Sequence, residues 1–426
     1  MSIGLLQTLI VLDEPGKIHC GAHDPVLGYI SIQYLPSQNN PNTELFGPLK
    51  VFVTLHGRAK TKVWVPTATG NNRSLYRGRA PLFSRKVLIY DAAFRAQPRD
   101  VAIFPFSLIF PETADGTLVD ALDFTDEDSN FICRRDQPLP PSFQSNHTSY
   151  NHKFEAFVEY RVGVDVVISQ LPVGVSKPDK FLEPVVHYER PRASRPVSRS
   201  PYDWRGYISI NNELLLPESE RPSGFRQKTK AFFGTTHFPT YAFDWVCTVP
   251  PDLYLGQPAC FEVRILPRER ECTTTLMPEV FLHNFEIEIK AHVNVRTVRS
   301  LFQAPKAHGS FTVFQIQGNR GTEVPFSQAS ESIKVITTPA LGPRTTAGAF
   351  SSSFATYNIS LTYTMKVRLE FRVTNKTTSI HKEFGVTVHP PLGVATPPPI
   401  DAGNETFDLP PYEPLPPYTK TQTHNM

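Results

Sequence analysis

The sequence predicts an all-β protein: two β-sandwich domains followed by a disordered, proline-rich C-terminal tail. Many segments alternate apolar and polar residues, which is the pattern of strands with one buried face. Proline accounts for 41 of the 426 residues, close to twice the usual share of about 5%. Prolines spread between alternating segments favour short strands and turns over helices. An apolar content of 40% is enough for globular cores, and this length calls for more than one domain.

The first predicted sandwich covers residues 1–170. Its clearest strand is residues 154–168, where seven apolar side chains share one face. Residues 49–55 and 60–65 are predicted as two strands, with His56-Gly57 turning the chain between them. Residues 90–97 are predicted to form a short helix that ends before Pro98.

The second predicted sandwich covers residues 237–390, and its strongest alternating segments are residues 285–295 and 361–373. Between the domains, residues 171–236 are predicted to be a junction with a basic loop. Residues 187–205 of that junction hold five Arg against one Glu and one Asp. Residues 391–426 form the predicted tail, which has too few apolar residues for a core.

Composition limits the classes of function. A net charge of +3 is small for this length and argues against a nucleic-acid binder. The five cysteines are an odd number without a Cys-x-x-Cys pair, which favours a reducing compartment. The apolar run at residues 3–12 lacks a basic flank and a cleavage site, so a first strand is predicted there rather than a signal peptide.

No enzyme signature is found. The sequence contains no nucleophile elbow, zinc-protease helix, phosphate-binding loop or dinucleotide fingerprint. Its thirteen His are scattered, and Cys260 and Cys272 have no nearby His pair that would complete a zinc site. We therefore predict no catalytic residues, no metal and no cofactor.

The tail carries Leu-Pro-Pro-Tyr twice, six residues apart. Proline fixes φ near −65°, so the run favours a polyproline II helix, which aromatic grooves such as those of WW domains bind. The Tyr two positions after the first proline of each motif is typical of WW ligands. The residues predicted to bind a WW domain are Leu409, Pro410, Pro411, Tyr412, Leu415, Pro416, Pro417 and Tyr418.

Two basic features allow more than one interpretation. Ser194, Ser198 and Ser200 lie beside arginines and a proline, as in substrates of basophilic or proline-directed kinases, but the same loop is equally typical of a solvated linker. The Arg-rich loop, together with Arg58, Lys60, Lys62 and residues 73–86, is also suited to acidic lipid headgroups or acidic cargo tails.

The order of motifs resembles the arrestins, in particular the fungal α-arrestins. The resemblance rests on Val26-Leu-Gly-Tyr-Ile-Ser-Ile32, on Val51-Phe-Val-Thr-Leu-His-Gly57 with Trp64, and on Phe104-Pro-Phe-Ser-Leu-Ile-Phe-Pro111. Leu139-Pro-Pro-Ser-Phe143 and Val158-Glu-Tyr-Arg-Val162 follow in the same order, and the second half matches more loosely.

The resemblance implies two arrestin-like, immunoglobulin-type sandwiches and a non-catalytic adaptor. Such adaptors recruit WW-domain HECT-type ubiquitin ligases to membrane-protein cargo, which is then ubiquitinated and endocytosed. It also implies a cytoplasmic protein that is recruited peripherally to the plasma membrane or endosomes.

Two further hypotheses stay open. A trafficking scaffold of the same fold would act without a ubiquitin ligase. A secreted immunoglobulin-like protein is suggested only by five Asn-x-Ser/Thr sequons, at Asn72, Asn146, Asn358, Asn375 and Asn404.

Overall fold

The structure is a computed structural model. It describes residues 5–21, 23–36, 41–42, 44–66, 73–118, 130–132, 134, 136–148, 153–168, 183–192, 199–222, 238–297, 305–318, 324–326, 332–336 and 351–393. Within these ranges the chain forms twenty strands, four 3₁₀ turns and no α-helix. The all-β prediction is confirmed.

The strands fall into two consecutive groups. The strands of the first half are β1 (Leu5–Leu12), β2 (Ile18–Cys20), β3 (Val26–Leu35), β4 (Leu45–Pro66), β5 (Arg73–Ala96), β6 (Val101–Leu108), β7 (Phe143–Thr148), β8 (Lys153–Ile168) and β9 (Val185–Glu189). Those of the second half are β10 (Tyr202–Asn211), β11 (Thr240–Val249), β12 (Asp252–Tyr254), β13 (Cys260–Pro267), β14 (Val280–Arg296), β15 (Lys306–Gly318), β16 (Val324–Pro325), β17 (Ser332–Ile336), β18 (Phe354–Ala355), β19 (Ile359–Val373) and β20 (Lys376–His389).

Each half contains one small and one large sheet. In the first half these are a three-stranded sheet, β1-β3-β6, and a six-stranded sheet, β2-β9-β8-β4-β5, with β7 paired to β8. In the second half they are a four-stranded sheet, β10-β11-β13-β17, and a seven-stranded sheet, β12-β20-β19-β14-β15, to which β16 and β18 add. Among the described residues, every strand pairing stays within one half.

In both halves the two sheets pack against each other through aromatic side chains. Tyr90 of β5 and Phe104 of β6 bring their ring centroids within 4.8 Å. In the second half, Phe243 of β11 lies 5.8 Å from Phe371 of β19, and Phe261 of β13 meets Phe285 of β14 at 5.4 Å. Such pairs add about 0.5–1.5 kcal/mol each beyond the burial of their area. The contacts join sheet to sheet, as the sandwich prediction requires.

Two local predictions were wrong. Residues 90–96 belong to β5 and residues 90–97 form no helix, because β5 pairs with β4 as far as Leu45↔Ala96 and buries Phe94 and Ala96. His56-Gly57 does not turn the chain. It lies inside the continuous strand β4, where a register shift falls between Gly57 and Arg58. A side chain at Gly57 would stand 2.5 Å from the ring of Tyr160, so close packing explains this glycine.

The span predicted as an irregular junction, residues 171–236, contains two strands. β9 pairs with β2 and β8 in the first half, and β10 pairs with β11 over its whole length in the second half. β10 buries Trp204, Ile208 and Ile210 on one face. The alternation in β10 is not recognised as a strand in the sequence, because it is short and follows a segment rich in Arg, Pro and Ser. The domain boundaries stay a prediction.

No helix in the described part of the chain is long and apolar enough to cross a membrane.

Candidate interaction site

Most of the residues with a predicted function lie outside the described residues. These are both Leu-Pro-Pro-Tyr motifs, at residues 409–418, and the candidate phosphorylation sites Ser194 and Ser198. Ser200 is described: it is exposed and lies just before β10. Among the described residues, no group of three or more His, Cys, Asp or Glu is placed to hold a metal ion.

The predicted basic cluster forms one face of the six-stranded sheet. The register places Lys60 of β4 opposite Arg79 of β5, and Lys62 opposite Arg77. Residues directly opposite each other in an antiparallel pair lie on the same face of the sheet. Together with Arg58 these cations define what we call the basic face. Like charges opposite each other are unfavourable, so the arrangement calls for anions nearby.

Part of that anionic charge comes from β8. Arg58 Nε donates to Glu159 Oε1 at 2.6 Å, and Lys60 forms an ion pair with the same oxygen. Arg161 Nη2 donates to Glu159 Oε2 at 3.0 Å. Partial burial acts against the charged form of Glu159, but the hydrogen bonds from Lys60 and Arg58 outweigh it and lower the pKa of Glu159 to about 2. One carboxylate therefore serves three cations.

The neighbouring positions are less well neutralised. Lys62 Nζ donates to Glu155 at 2.7 Å. Within the described part of the chain, no carboxylate forms an ion pair with Arg77 or Arg79, and both side chains are exposed. The pKa of Lys60 is lowered, first by its partial burial and further by Arg58 and Arg79, although Glu159 opposes this. The basic face thus has unbalanced positive charge along the boundary of β4 and β5.

Aromatic side chains extend the same face. Trp64 of β4 lies opposite Lys153 of β8, whose ammonium group is 4.6 Å from the Trp64 ring. Phe157 lies opposite Lys60 and has Lys62 at 5.9 Å from its ring. β5 ends the sheet order, so its outer edge is free of strand pairing among the described residues. Cations, flat apolar groups and an open strand edge suit an extended acidic peptide.

The opposite side of the same strands holds the two halves together. Ala59, Thr61 and Val63 alternate with the basic residues and are buried. Thr61 Oγ1 donates to the backbone oxygen of Arg296 at 2.7 Å, and Asn358 Nδ2 donates to the backbone oxygen of Ala59 at 3.3 Å. We call this contact, between β4, the end of β14 and the residues that precede β19, the joint.

Arg296 lies at the centre of the joint. It is only 4% exposed, and its Nε donates to the Tyr357 backbone oxygen at 2.6 Å. Its guanidinium carbon is 4.5 Å from the ring centroid of Phe131, a residue of the first half. A hydrogen at Gly78 is also needed here, since a Cβ atom would stand 2.4 Å from Thr61 Oγ1 and 3.0 Å from the Thr297 backbone. A buried cation with contacts from both halves favours one fixed arrangement of the joint.

A second part of the joint lies at the end of β9. Ser352 Oγ donates to Glu189 at 3.0 Å, and Arg190 Nη1 donates to the Ser353 backbone oxygen at 3.2 Å. Burial lowers the pKa of Arg190, although Glu189 opposes this. Phe143 and Phe354 meet edge to face at 5.2 Å beside these polar contacts. The joint is therefore both apolar and hydrogen-bonded.

Sequence reasoning found the cations of the basic face but missed the joint. Arg58, Lys60 and Lys62 stand out as charges in an alternating run, whereas Arg296 looks like the polar end of a strand. The sequon at Asn358, by contrast, is a motif visible in the sequence that has no accessible site in the structure. This side chain is fully buried and hydrogen-bonded to Ala59, so a glycan cannot be attached there in this fold. This one of the five sequons therefore gives the secreted alternative no support.

A scan against models of known protein families finds no match for this chain, and a search of curated proteins finds no similar sequence.

Proposed function

We propose that this chain is a non-catalytic adaptor that recruits a WW-domain HECT-type ubiquitin ligase to membrane transporters or receptors. The observation that carries the proposal is the repeated Leu-Pro-Pro-Tyr motif, with Tyr412 and Tyr418 at the same position in each copy. A polyproline II segment loses little chain entropy when it docks in an aromatic groove. Ubiquitination of the cargo and its endocytosis are the expected outcome.

The basic face supplies a surface for the cargo. Cytosolic loops and tails of membrane proteins that are rich in Asp and Glu have the complementary charge to Arg77 and Arg79. Acidic headgroups of the cytoplasmic leaflet share that charge and would hold the adaptor at the membrane. The adaptor would then be a cytoplasmic protein recruited peripherally to the plasma membrane or endosomes.

The ligase arm is tested by titrating a tandem WW-domain fragment into the full chain and into variants of Tyr412 and Tyr418. We expect the double variant Tyr412→Ala/Tyr418→Ala to lose binding by at least about 100-fold, because both anchoring rings are gone. At about 3.1 Å per residue the two rings stand roughly 19 Å apart, too close for easy simultaneous use by two domains. Each single variant should therefore bind within about twofold of wild type.

An unchanged affinity of the double variant would exclude the ligase arm. A loss of tens-fold in either single variant would leave the ligase arm standing but contradict the alternative use of the two motifs.

The cargo arm is tested separately, with Arg77→Ala/Arg79→Ala against an acidic peptide and against vesicles with and without anionic lipid. Arg205→Ala/Arg264→Ala is the matched control, since it removes two exposed arginines from the second half. We expect about a tenfold loss of peptide binding for the basic-face variant at low salt, and little change for the control. Equal losses in both variants would show that only net charge matters.

The alternative is a trafficking scaffold of the same fold that acts without a ligase. The basic face and the joint are built from described residues outside the tail, and a scaffold could use them as binding surfaces without a ligase. Deleting residues 409–418 separates the two functions: cargo uptake in cells that continues unchanged would support the scaffold.

A further inference from the structure

Arg199, which lies directly before the candidate phosphorylation site Ser200, is hydrogen-bonded to Asp252 of the second half. The connector is residues 190–201, between β9 and β10. Arg199 Nε donates to Asp252 Oδ2 at 2.8 Å and to Oδ1 at 3.0 Å, and its Nη2 donates to the Pro251 backbone oxygen at 3.1 Å. Asp252 is only 7% exposed, whereas Arg199 is 47% exposed. We call this contact the clip.

The clip lies beside the end of β20, the last strand of the described chain. β12 runs parallel to the end of β20, with Asp252 opposite Thr387 and Tyr254 opposite His389. The Pro251 oxygen that accepts from Arg199 also accepts from the Thr387 backbone N–H at 3.0 Å. His389 Nε2 lies 2.7 Å from Asp252 Oδ1. Arg199, the start of β12 and the end of β20 therefore share one small hydrogen-bonded group.

The carboxylate depends mainly on Arg199. The hydrogen bond from Arg199 lowers the pKa of Asp252, with His389 adding to the effect and burial opposing it. Loss of Arg199 would leave a nearly buried carboxylate with His389 as its remaining side-chain partner among the described residues. A nearly buried carboxylate that loses its main hydrogen-bond donor is destabilising. A change at Arg199 should thus loosen β12 from β20.

We propose that Ser200 is a phosphorylation site and that its phosphate opens the clip. Ser200 is exposed, Pro201 follows it and Arg199 precedes it, so a proline-directed kinase can reach it without unfolding a strand. The phosphate would be carried by the residue directly after Arg199, whose Cα atom is about 3.8 Å from that of Arg199. It carries a charge of about −1.5 to −2 and offers three acceptor oxygens to the same guanidinium that Asp252 holds. Repulsion between the phosphate and Asp252 acts in the same direction.

The covalent step needs a separate kinase and a nucleoside triphosphate. The Ser200 Oγ atom forms a bond to the γ-phosphorus, and the bond from that phosphorus to the β–γ bridging oxygen breaks. The nucleoside diphosphate leaves with the bond electrons, and the hydroxyl proton passes to the kinase's base.

The second contact between this region and β20 is expected to stay intact. Tyr202 Oη donates to the Gly385 backbone oxygen at 3.2 Å, and its ring stacks on Phe384 at 5.5 Å. This contact involves neither the phosphate nor Asp252. Opening should therefore be local to Asp252–Tyr254 and the end of β20, where the chain leaves the sheet toward the tail.

The experiment phosphorylates the full chain with a purified proline-directed kinase and ATP, maps the site by mass spectrometry and follows amide hydrogen exchange. We expect Ser200 to be modified, and the amides of residues 252–255 and 387–389 to exchange about three- to tenfold faster, as for loss of a half-exposed charged hydrogen bond. Exchange at residues 384–385 should change little.

Matched variants keep the result interpretable. Ser200→Ala should abolish both modification and the change in exchange. Arg199→Ala should show the faster exchange without phosphate, and phosphorylating it should add less than it adds to wild type, because only the repulsion from Asp252 remains. Arg199→Lys should fall between Arg199→Ala and wild type. Failure to modify Ser200 in the folded chain, an unchanged exchange rate after modification, or wild-type exchange in Arg199→Ala would each overturn the proposal.

Discussion

The two sides of β4 between Arg58 and Val63 have different physical roles although they share one backbone. Arg58, Lys60 and Lys62 are 20%, 28% and 41% exposed in their side chains, whereas Ala59, Thr61 and Val63 are at most 1% exposed. Exposed ion pairs contribute about 0–1 kcal/mol each, but breaking a buried hydrogen bond costs about 1–3 kcal/mol. We therefore expect the inner side to contribute most of the stability, which leaves the outer side available for the proposed binding.

The register of β4 keeps these roles separate. A slip of one residue would exchange the two sides, placing lysines in the joint. The register shift between Gly57 and Arg58 lies where this stretch begins, and Gly57 is held against Tyr160 by close packing. A packing glycine at the start of the stretch thus helps to fix which side chains lie on the basic face.

The largest loss of stability should follow Arg296→Ala. The variant removes the Nε donor to the Tyr357 oxygen and the contact with Phe131, and it opens space in the joint. We expect the free energy of unfolding to fall by about 3 kcal/mol, as for other buried charged groups removed from a hydrogen-bonded site. Urea denaturation measures this. Lys62→Ala is the control from the outer side and should stay within about 0.5 kcal/mol of wild type.

A smaller loss should follow Asn358→Ala. The Ala59 backbone oxygen would lose the donor from Asn358 Nδ2 and remain buried. We expect a loss of about 1–2 kcal/mol, again measured by urea denaturation. A change below about 0.5 kcal/mol would mean that the joint does not depend on this hydrogen bond, and would weaken the contrast between the two sides.

The sequence predicts the alternation well and the joint poorly, for a physical reason. Period-two patterns along β8, β14 and β19 report which side of a strand is buried, because burial of apolar residues is local information. The joint depends on residues far apart in the chain, such as Thr61 and Arg296, and leaves no local pattern. Long-range pairing also explains the wrong helix at residues 90–97: contact with β4 overrides the local preference of a segment with three Ala in eight residues.

The candidate site divides in the same way. The cations of the basic face are visible in the sequence, but the sharing of Glu159 by three of them follows only from the pairing of β4 with β8. The WW-binding motif is fully local, because a polyproline II segment needs no partner strand. It stays a prediction from the sequence.

Acid should weaken the outer side before the inner side. The pKa of Glu159 is lowered from its ordinary value of 4.5 to about 2, so its contribution to stability is complete above pH 4.5 and is lost as the pH falls toward 2. Glu159→Gln should cost about 1 kcal/mol at pH 7, and the gap to wild type should close in that acid window. Unfolding measured from pH 7 to pH 2 tests this, and a constant gap would contradict it.

The smallest effect on stability should come from Arg77→Ala. Arg77 is exposed and lies directly opposite Lys62, so its removal relieves a like-charge contact. We expect stability to change by less than about 0.5 kcal/mol, and upward rather than downward, at low salt. The change should vanish at 1 M salt, where charges more than about 3 Å apart are screened. A clear loss of stability in Arg77→Ala at low salt would show that the outer side also supports the fold, and the separation of roles along β4 would then fail.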